Sequence, residues 1–569
     1  MSGSSKKNVE AIHPTSRQQK GMLFETLSAT RPGIHLERVA CTLRGPLDPE
    51  AFERAWQEIA ARHSTFRTAF AWKGQEDPLQ VTFERVRVPI AYRDLRAQPP
   101  EERQAAFADL LAADLDEGFD MSRPPLMRLH LLRTGEHEHR LLWIHHHILM
   151  DGWCRPIVLR DFVALYQAAL RGEPASLPPA RPYRDYIQWL RRKEDELPQV
   201  EAFWRGDLRG FTRPTPVGRP AEPLAARPTA RHGVREIALD EGASAVLRSA
   251  RGRRLTPSTV VQGLWALLLA HYAGAREVVF GTTVSGRPEE IEGVEQIVGL
   301  FINTLPFRLE VPPDARAWSW LQEVQRRHLD LRRYEHVSTG QIHQWSDVPG
   351  DQPLYESLLV YENYPADAGA GGGASELVLE PDQDGSSGAI TRFALTLVAV
   401  ETSRLAITLI HDRRRLEDAD AGLIGEHLAH LLAALEREPD PLLADLVARL
   451  PAGEAPRFRA LAAEGARPFV APRTPTEAAL AEIWQGILRV PEVSVLDDFL
   501  NLGGHSLMAS EILTRVNRSF QVNLPLLQLY ETPTLEGMAA AVVQAQTEQA
   551  DPEVLARLLD ELEASGVRR

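Results

Sequence analysis

Three consecutive histidines, His145, His146 and His147, are followed by Asp151 and Gly152 in the stretch LLWIHHHILMDGWCRP, residues 141–156. Imidazole titrates near pH 6.5, so a histidine held in place can take up and return a proton at neutral pH. The surrounding apolar residues predict a strand, HRLLWIHHH, the second of a hairpin turned at TGEHEH. Side chains alternate along a strand, which puts His145 and His147 on one face and His146 on the other. The chain then passes through the Asp-Gly pair into a helical stretch, RPIVLRDFVALYQAAL. A strand end that turns into a helix N-terminus suits a reacting group, because the helix dipole and the free amides favour developing negative charge. His147 stands at that edge as a candidate base or proton shuttle. Two other readings are packed core or surface histidines, and a metal site using His145, His147 and Asp151. No second His/Cys/Asp/Glu cluster with ligand spacing accompanies them, so no metal is expected.

A second stretch with chemistry is DDFLNLGGHSLMASEI, residues 497–512. A G-x-S-x-G nucleophile elbow around Ser506 would need glycine at 508, where Met508 stands, and the hydrolase reading fails. What remains is a serine after two turn-forming glycines at a helix N-terminus, a place that suits a covalently held phosphodiester.

These residues need elements to hold them. A chain of 569 residues exceeds one hydrophobic core and divides into three or four domains or lobes. From about 10 to 175, helical stretches such as DPEAFERAWQEIAARH alternate with apolar runs such as PLMRLHLLRT, the pattern of an α/β lobe. A Pro-rich passage, GEPASLPPARPYRDY, leads to a second mixed region up to 450. The glycine run at 369–373 reads as a flexible loop, since it lies between no strand and helix and has neither lysine nor hydroxyls. Past 450 an Ala/Pro/Arg connector precedes a small helical bundle. Thr474, Pro475 and Glu477 predict a capping box, and Leu480, Ile483, Trp484, Ile487 and Leu488 a buried face. A second helix is expected from Ser506, with Ala509, Ile512, Leu513 and Val516 inward, and another after residues 532–534. The predicted divisions are a flexible N-terminus at 1–10, a first lobe at 11–178, a second at 179–450, a linker at 451–472, a bundle at 473–546 and a tail at 547–569 that could dock as a helix.

The net charge of −14 and the absence of a basic block argue against a sequence-independent nucleic-acid binder. Two cysteines exclude a disulfide scaffold and suit a reducing cytoplasm. The N-terminus has no apolar h-region, and nowhere do about 18 apolar residues run together, so no membrane span is expected.

HHILMDG, residues 146–152, resembles the HHxxxDG motif of the condensation domains of nonribosomal peptide synthetases, relatives of chloramphenicol acetyltransferase. RQQKGMLF (17–24), RHSTFRTAF (62–70), SGRPEEIEGVEQIVGLFINTLPFRL (285–309) and YESLLVYENYP (355–365) resemble further motifs of that family, in its order. The resemblance covers about residues 10–450. LGGHSL resembles the phosphopantetheine attachment motif of peptidyl carrier proteins, with Leu500 in place of a phenylalanine. The implied fold is α/β: a two-lobed, chloramphenicol-acetyltransferase-like condensation domain with a tunnel between its lobes, plus an all-α four-helix-bundle carrier domain. The implied reaction is attack of an acceptor amine on a carrier-borne acyl or peptidyl thioester. The resemblance makes His147 the catalytic histidine, acting as base or as positioning group, with His146 packed behind it. It makes Asp151 a structural residue paired with Arg62 or Arg67, Gly152 a close-approach residue whose amide faces the oxyanion, and Asn303 a tunnel-side residue. Ser506 would carry covalent 4′-phosphopantetheine.

The implied partners are an upstream carrier protein bringing the donor, a phosphopantetheinyl transferase, and a downstream synthetase or release enzyme. No adenylation domain fits between about 450 and 474, so an adenylating enzyme acting in trans is expected to load the carrier. Neither nucleic acid nor membrane is expected as a partner. Two further classes stay open: an acyltransferase or ester synthase using a diffusible amine or alcohol, and a non-catalytic platform that recruits enzymes to the carrier.

Overall fold

The computed structural model describes residues 8–28, 33–72, 77–219, 232–237, 239, 241–350, 352–362, 377–381, 393–401, 404–451, 469–488, 490, 492–497, 499, 502, 506–524, 528–532 and 534–549. The glycine run at 369–373, most of the connector, Gly503 and Gly504, and the tail from 550 lie outside the described residues, as does the side chain of Ser506.

The first lobe contains the strands β1 (Val9–Pro14), β2 (Leu36–Arg44), β3 (Thr68–Ala71), β4 (Leu79–Phe83), β5 (Ile90–Asp94), β6 (Met127–Arg133) and β7 (Glu138–His146). Its helices are α1 (Arg17–Ser28), α2 (Pro49–Arg62), α3 (Pro100–Glu117) and α4 (Cys154–Arg171). β1 begins at Val9, inside the segment expected to be a flexible N-terminus, because it is paired antiparallel with β4. β6 and β7 form the expected hairpin, and β7 runs between β6 and β2. A central strand covered on both faces must be apolar throughout. Accordingly Leu141 and Trp143 enter one core, while Leu142 and Ile144 enter another against Phe107 and Leu110.

α2 is started by Asp48, whose carboxylate accepts the Ala51 N–H at 2.8 Å, with Pro49 in the first turn. Its face of Phe52, Trp56 and Ile59 packs on α4 and on the sheet, with Trp56 and Trp143 ring centroids 5.1 Å apart. Truncating Trp56 to alanine there would cost about 3–5 kcal/mol. This packing fixes α4 over β7, and with it the loop between them.

The second lobe contains β8 (His232–Ile237), β9 (Glu277–Val284), β10 (Asn303–Glu310), β11 (Ser357–Glu362), β12 (Val378–Pro381), β13 (Leu395–Glu401) and β14 (Leu405–Asp412). Its sheet runs β10-β9-β11-β13-β14-β8. β12 leaves that lobe and pairs antiparallel with β2, completing a sheet of order β12-β2-β7-β6-β5. The lobes are therefore not two clean stretches of sequence, because the later one supplies an edge strand to the earlier.

Beyond the connector, helices Pro475–Leu488, Ser506–Phe520, Gln528–Glu531 and Leu535–Gln549 enclose Leu480, Trp484, Ile512, Val516 and Met538. The capping box is formed: the Thr474 hydroxyl accepts the Glu477 N–H, and the Glu477 carboxylate accepts the Thr474 N–H, both at 3.1 Å. Phe24 of α1 packs against this small core, and α1 lies against helix Ser506–Phe520. Among the described residues no helix is long and apolar enough to cross a membrane.

Candidate active site

β7 ends at His146, and His147 opens a 3₁₀ turn, His147–Leu149, so the strand alternation expected to pair His145 with His147 stops one residue short. The three histidines have three environments. His145 is buried beside Trp143, with ring centroids 4.9 Å apart, and burial pushes its pKa well below the ordinary histidine value. His146 is buried too, and its pKa is well lowered, first by burial and then by His35 and His147.

The tautomers follow from the partners. His146 Nδ1 accepts the Ile148 N–H at 3.1 Å, so the proton of the neutral ring sits on Nε2. That Nε2 donates to the Thr26 hydroxyl at 2.9 Å, and Thr26 donates onward to the Met22 carbonyl at 2.8 Å. His147 Nδ1 lies 2.9 Å from the Met150 carbonyl oxygen. A carbonyl only accepts, so Nδ1 carries the hydrogen and Nε2 of neutral His147 presents a lone pair. His147 is half-buried, and its own N–H donates to the His35 carbonyl at 2.8 Å. Such a ring can accept a proton at Nε2 without losing its anchor.

Asp151 lies three residues before α4 and is buried. Its Oδ1 accepts from Arg287 Nη2 at 3.0 Å and from Cys154 Sγ at 3.3 Å; its Oδ2 accepts the amides of Phe301 at 2.9 Å and Ile302 at 3.2 Å. Both oxygens are thereby engaged, leaving none for a metal shared with the histidines. Among the described residues no group of three His, Cys, Asp or Glu could hold one. Burial works against the Arg287 charge, but Asp151 and Cys154 outweigh it and hold its pKa up. Burial and the neighbouring Asp151 push the Cys154 thiol up to about 12, so it remains a donor.

Residues 9–452 match the family model described as the condensation domain, and residues 478–542 the one described as the phosphopantetheine attachment site. The chain belongs to the condensation domain family. It is 38% identical over 439 residues to one of the linear gramicidin synthase proteins of Brevibacillus parabrevis, covering 77% of this chain and 8% of that protein. It is 34% identical over 519 residues to chondramide synthase cmdD of Chondromyces crocatus, covering 82% and 13%. The chain thus spans a small fraction of these relatives. Among solved structures, the condensation domain from Monacolin K polyketide synthase MokA gives a TM-score of 0.64 at 18% identity, covering 77% of this chain and 100% of that one. The X-domain from teicoplanin biosynthesis gives 0.63 at 23%, covering 76% and 96%. At such identities these two show the two-lobed fold alone.

Within this condensation domain the expected ion pair of Asp151 is corrected. Arg62 instead donates from Nε to Asp161 Oδ2 at 2.7 Å, where His63 and Arg160 also converge. Burial would raise the Asp161 pKa, but these partners hold it well below the usual carboxylate range. Arg67 pairs with Glu10 of β1 at 2.5 Å and donates to the Ala60 carbonyl at 3.0 Å. Both arginines are tied to α4 or β1 of their own lobe, whereas the Asp151 carboxylate points across to the second. Arg287 was legible only as part of the motif SGRPEE. Its setting explains the preceding glycine: Gly286 has φ 61°, and a Cβ there would meet the Phe301 carbonyl oxygen at 1.9 Å. Asn303 is buried, and its Nδ2 donates to the Glu335 and Val337 carbonyls, both at 2.7 Å. Both amide hydrogens are used, so Asn303 braces the 335–337 segment. Gly152 lies between Asp151 and the start of α4, its carbonyl accepting the Arg155 N–H at 3.2 Å.

Proposed function

We propose that this chain joins a carrier-borne acyl or peptidyl thioester to the amine of an aminoacyl group held on its own carrier domain, forming an amide. The observation that carries the reading is the His147 ring, anchored by Nδ1 at Met150 with Nε2 left as an acceptor, on a turn braced by α1. In this reading Nε2 takes the amine proton as the C–N bond forms and returns it to the leaving thiolate, so protons balance over the cycle. The Gly152 amide, at the entrance to α4, faces the developing oxyanion. His146 and Asp151 hold the turn and touch no reacting atom.

Ser506 opens a fifteen-residue helix, whose first amides have no intrahelical acceptor and whose dipole favours a phosphodiester. That placement fits 4′-phosphopantetheine on Ser506, which supplies the thioester and the arm that carries it. Tethering keeps the reactant at high local concentration, so the site need only orient it, an effect worth roughly 7–11 kcal/mol of barrier.

The partners of this reading are an upstream carrier bringing the donor, a phosphopantetheinyl transferase, an adenylating enzyme acting in trans, and a downstream synthetase or release enzyme. The cytoplasm is its compartment, supported by Cys41 and Cys154, neither of which is in a disulfide. The test installs aminoacyl-pantetheine on the chain from aminoacyl-coenzyme A and adds a panel of L- and D-aminoacyl thioesters on a separate carrier. Intact mass then follows both carriers. The expected product is a dipeptidyl group on the chain, absent from Ser506→Ala. Product released on a diffusible amine or alcohol would instead make the enzyme an acyltransferase or ester synthase, and loading without any product would leave a recruitment platform.

A further inference from the structure

His35 stands in the turn before β2 with φ 58°, one of three non-glycine residues in the left-handed region among the described residues. That region is disfavoured for any residue with a Cβ, although histidine tolerates it better than most. His35 is held at both ends. Its carbonyl accepts the His147 N–H at 2.8 Å, extending the β2–β7 pairing by which Leu36 faces His146. Its Nε2 lies 2.8 Å from Glu25 Oε2 in α1. The same helix holds the catalytic turn twice more: Gln19 Nε2 donates to the Ile148 carbonyl at 3.4 Å, and Thr26 accepts from His146. A strained backbone persists where its surroundings over-determine it, and such residues cluster at functional sites.

We propose that His35, pinned by Glu25, is a positioning residue for His147. Its left-handed backbone aims a carbonyl at the His147 amide and fixes the start of the turn, so that Nδ1 reaches Met150 and Nε2 stays in one place. The proposal rests on the amide-forming reading above.

The test uses the full chain, loaded as above, with the variants His35→Ala, His35→Asn and Glu25→Gln. The readouts are the single-turnover rate constant at saturating donor carrier (kcat), the donor-carrier concentration at half that rate (KM), the melting temperature and deuterium exchange of the His147 amide. His35→Ala is expected to lower kcat about tenfold or more, with donor KM within about twofold, since a small misplacement of a reacting group can cost up to about a hundredfold. His35→Asn should recover part of kcat, because asparagine also tolerates positive φ. Glu25→Gln should lose less than His35→Ala, in the same direction. The His147 amide should exchange faster in His35→Ala. Wild-type kcat in His35→Ala, a loss confined to KM, a loss that tracks the melting temperature, or unchanged exchange would each overturn the proposal. Should the wild type form no amide, the functional reading fails, while the exchange measurement still decides what His35 does.

Discussion

Asp151 and Arg287, 136 residues apart in sequence, meet at 3.0 Å with both side chains no more than 5% exposed. Arg287 spends Nη1 on the Val294 and Ile297 carbonyls, and Asp151 spends Oδ2 on the amides of 301 and 302. The motif aspartate therefore ties the first lobe to the 287–302 segment of the second. Removing one partner strands the other in a buried site, so Asp151→Ala and Arg287→Ala should each lose roughly 3–5 kcal/mol in chemical denaturation. The two changes together should cost less than their sum, whereas Asp151→Ala and Arg67→Ala should add, since Arg67 is paired elsewhere. Additivity of Asp151 with Arg287 would remove the pair from this account.

His147→Ala should behave differently. The ring is half-buried and makes one anchoring hydrogen bond, to Met150, so its removal should cost about 1 kcal/mol of stability. Condensation should fall by about two to four orders of magnitude, the usual contribution of a positioned base. A variant that melts like wild type and keeps most of its rate would leave His147 no base role, and the rate would come from the proximity of the tethered reactants.

Motifs and periodicities carried much of this architecture. HRLLWIHHH has the apolar content of a doubly covered strand, and Thr474 and Glu477 have the spacing of a capping box, because both are local patterns. What was not legible depends on contacts between distant segments. Arg62 and Arg67 lie in a familial motif, yet each faces a neighbour in its own lobe, and nothing local marks Arg287 as the one that crosses. His35 carries no local signal either, since its role comes from a backbone carbonyl and a left-handed φ. The edge strand β12 could not be assigned to the first sheet by periodicity, which reports a strand's faces but not its partners.

The buried histidines make an acid-stability prediction. His146 has its pKa well lowered, first by burial, so the folded chain keeps it neutral in a range where the unfolded chain protonates it. Above about pH 6.5 neither state binds the proton and there is no difference; below it the unfolded state binds more, and stability falls as pH falls. The loss should approach about 1.4 kcal/mol per pH unit for each such group until the folded value is reached. His145 contributes in the same sense. His146→Asn should make the pH dependence of denaturation shallower below 6.5 by about one proton. An unchanged slope would mean that His146 protonates within the fold.

The carrier domain rests on the helix that braces the His147 turn. Phe24 on α1 packs against the carrier core, while Gln19 and Thr26 of the same helix hold Ile148 and His146. One helix thus has a side that meets the carrier and a side that holds the His147 turn. A partly buried phenylalanine at such a contact is worth on the order of 1–2 kcal/mol, or roughly tenfold in occupancy of the docked state. Phe24→Asp should therefore slow amide formation from the tethered acceptor by about that factor, because tethering supplies local concentration but not orientation. Installation of phosphopantetheine on Ser506 should proceed at the wild-type rate, since Phe24 lies on α1, outside the carrier domain. Rapid-quench rates with the donor carrier in excess, beside loading rates by intact mass, separate the two. If amide formation in Phe24→Asp matched the wild type, the carrier would reach the site by another face, and the contact at α1 would be a resting position.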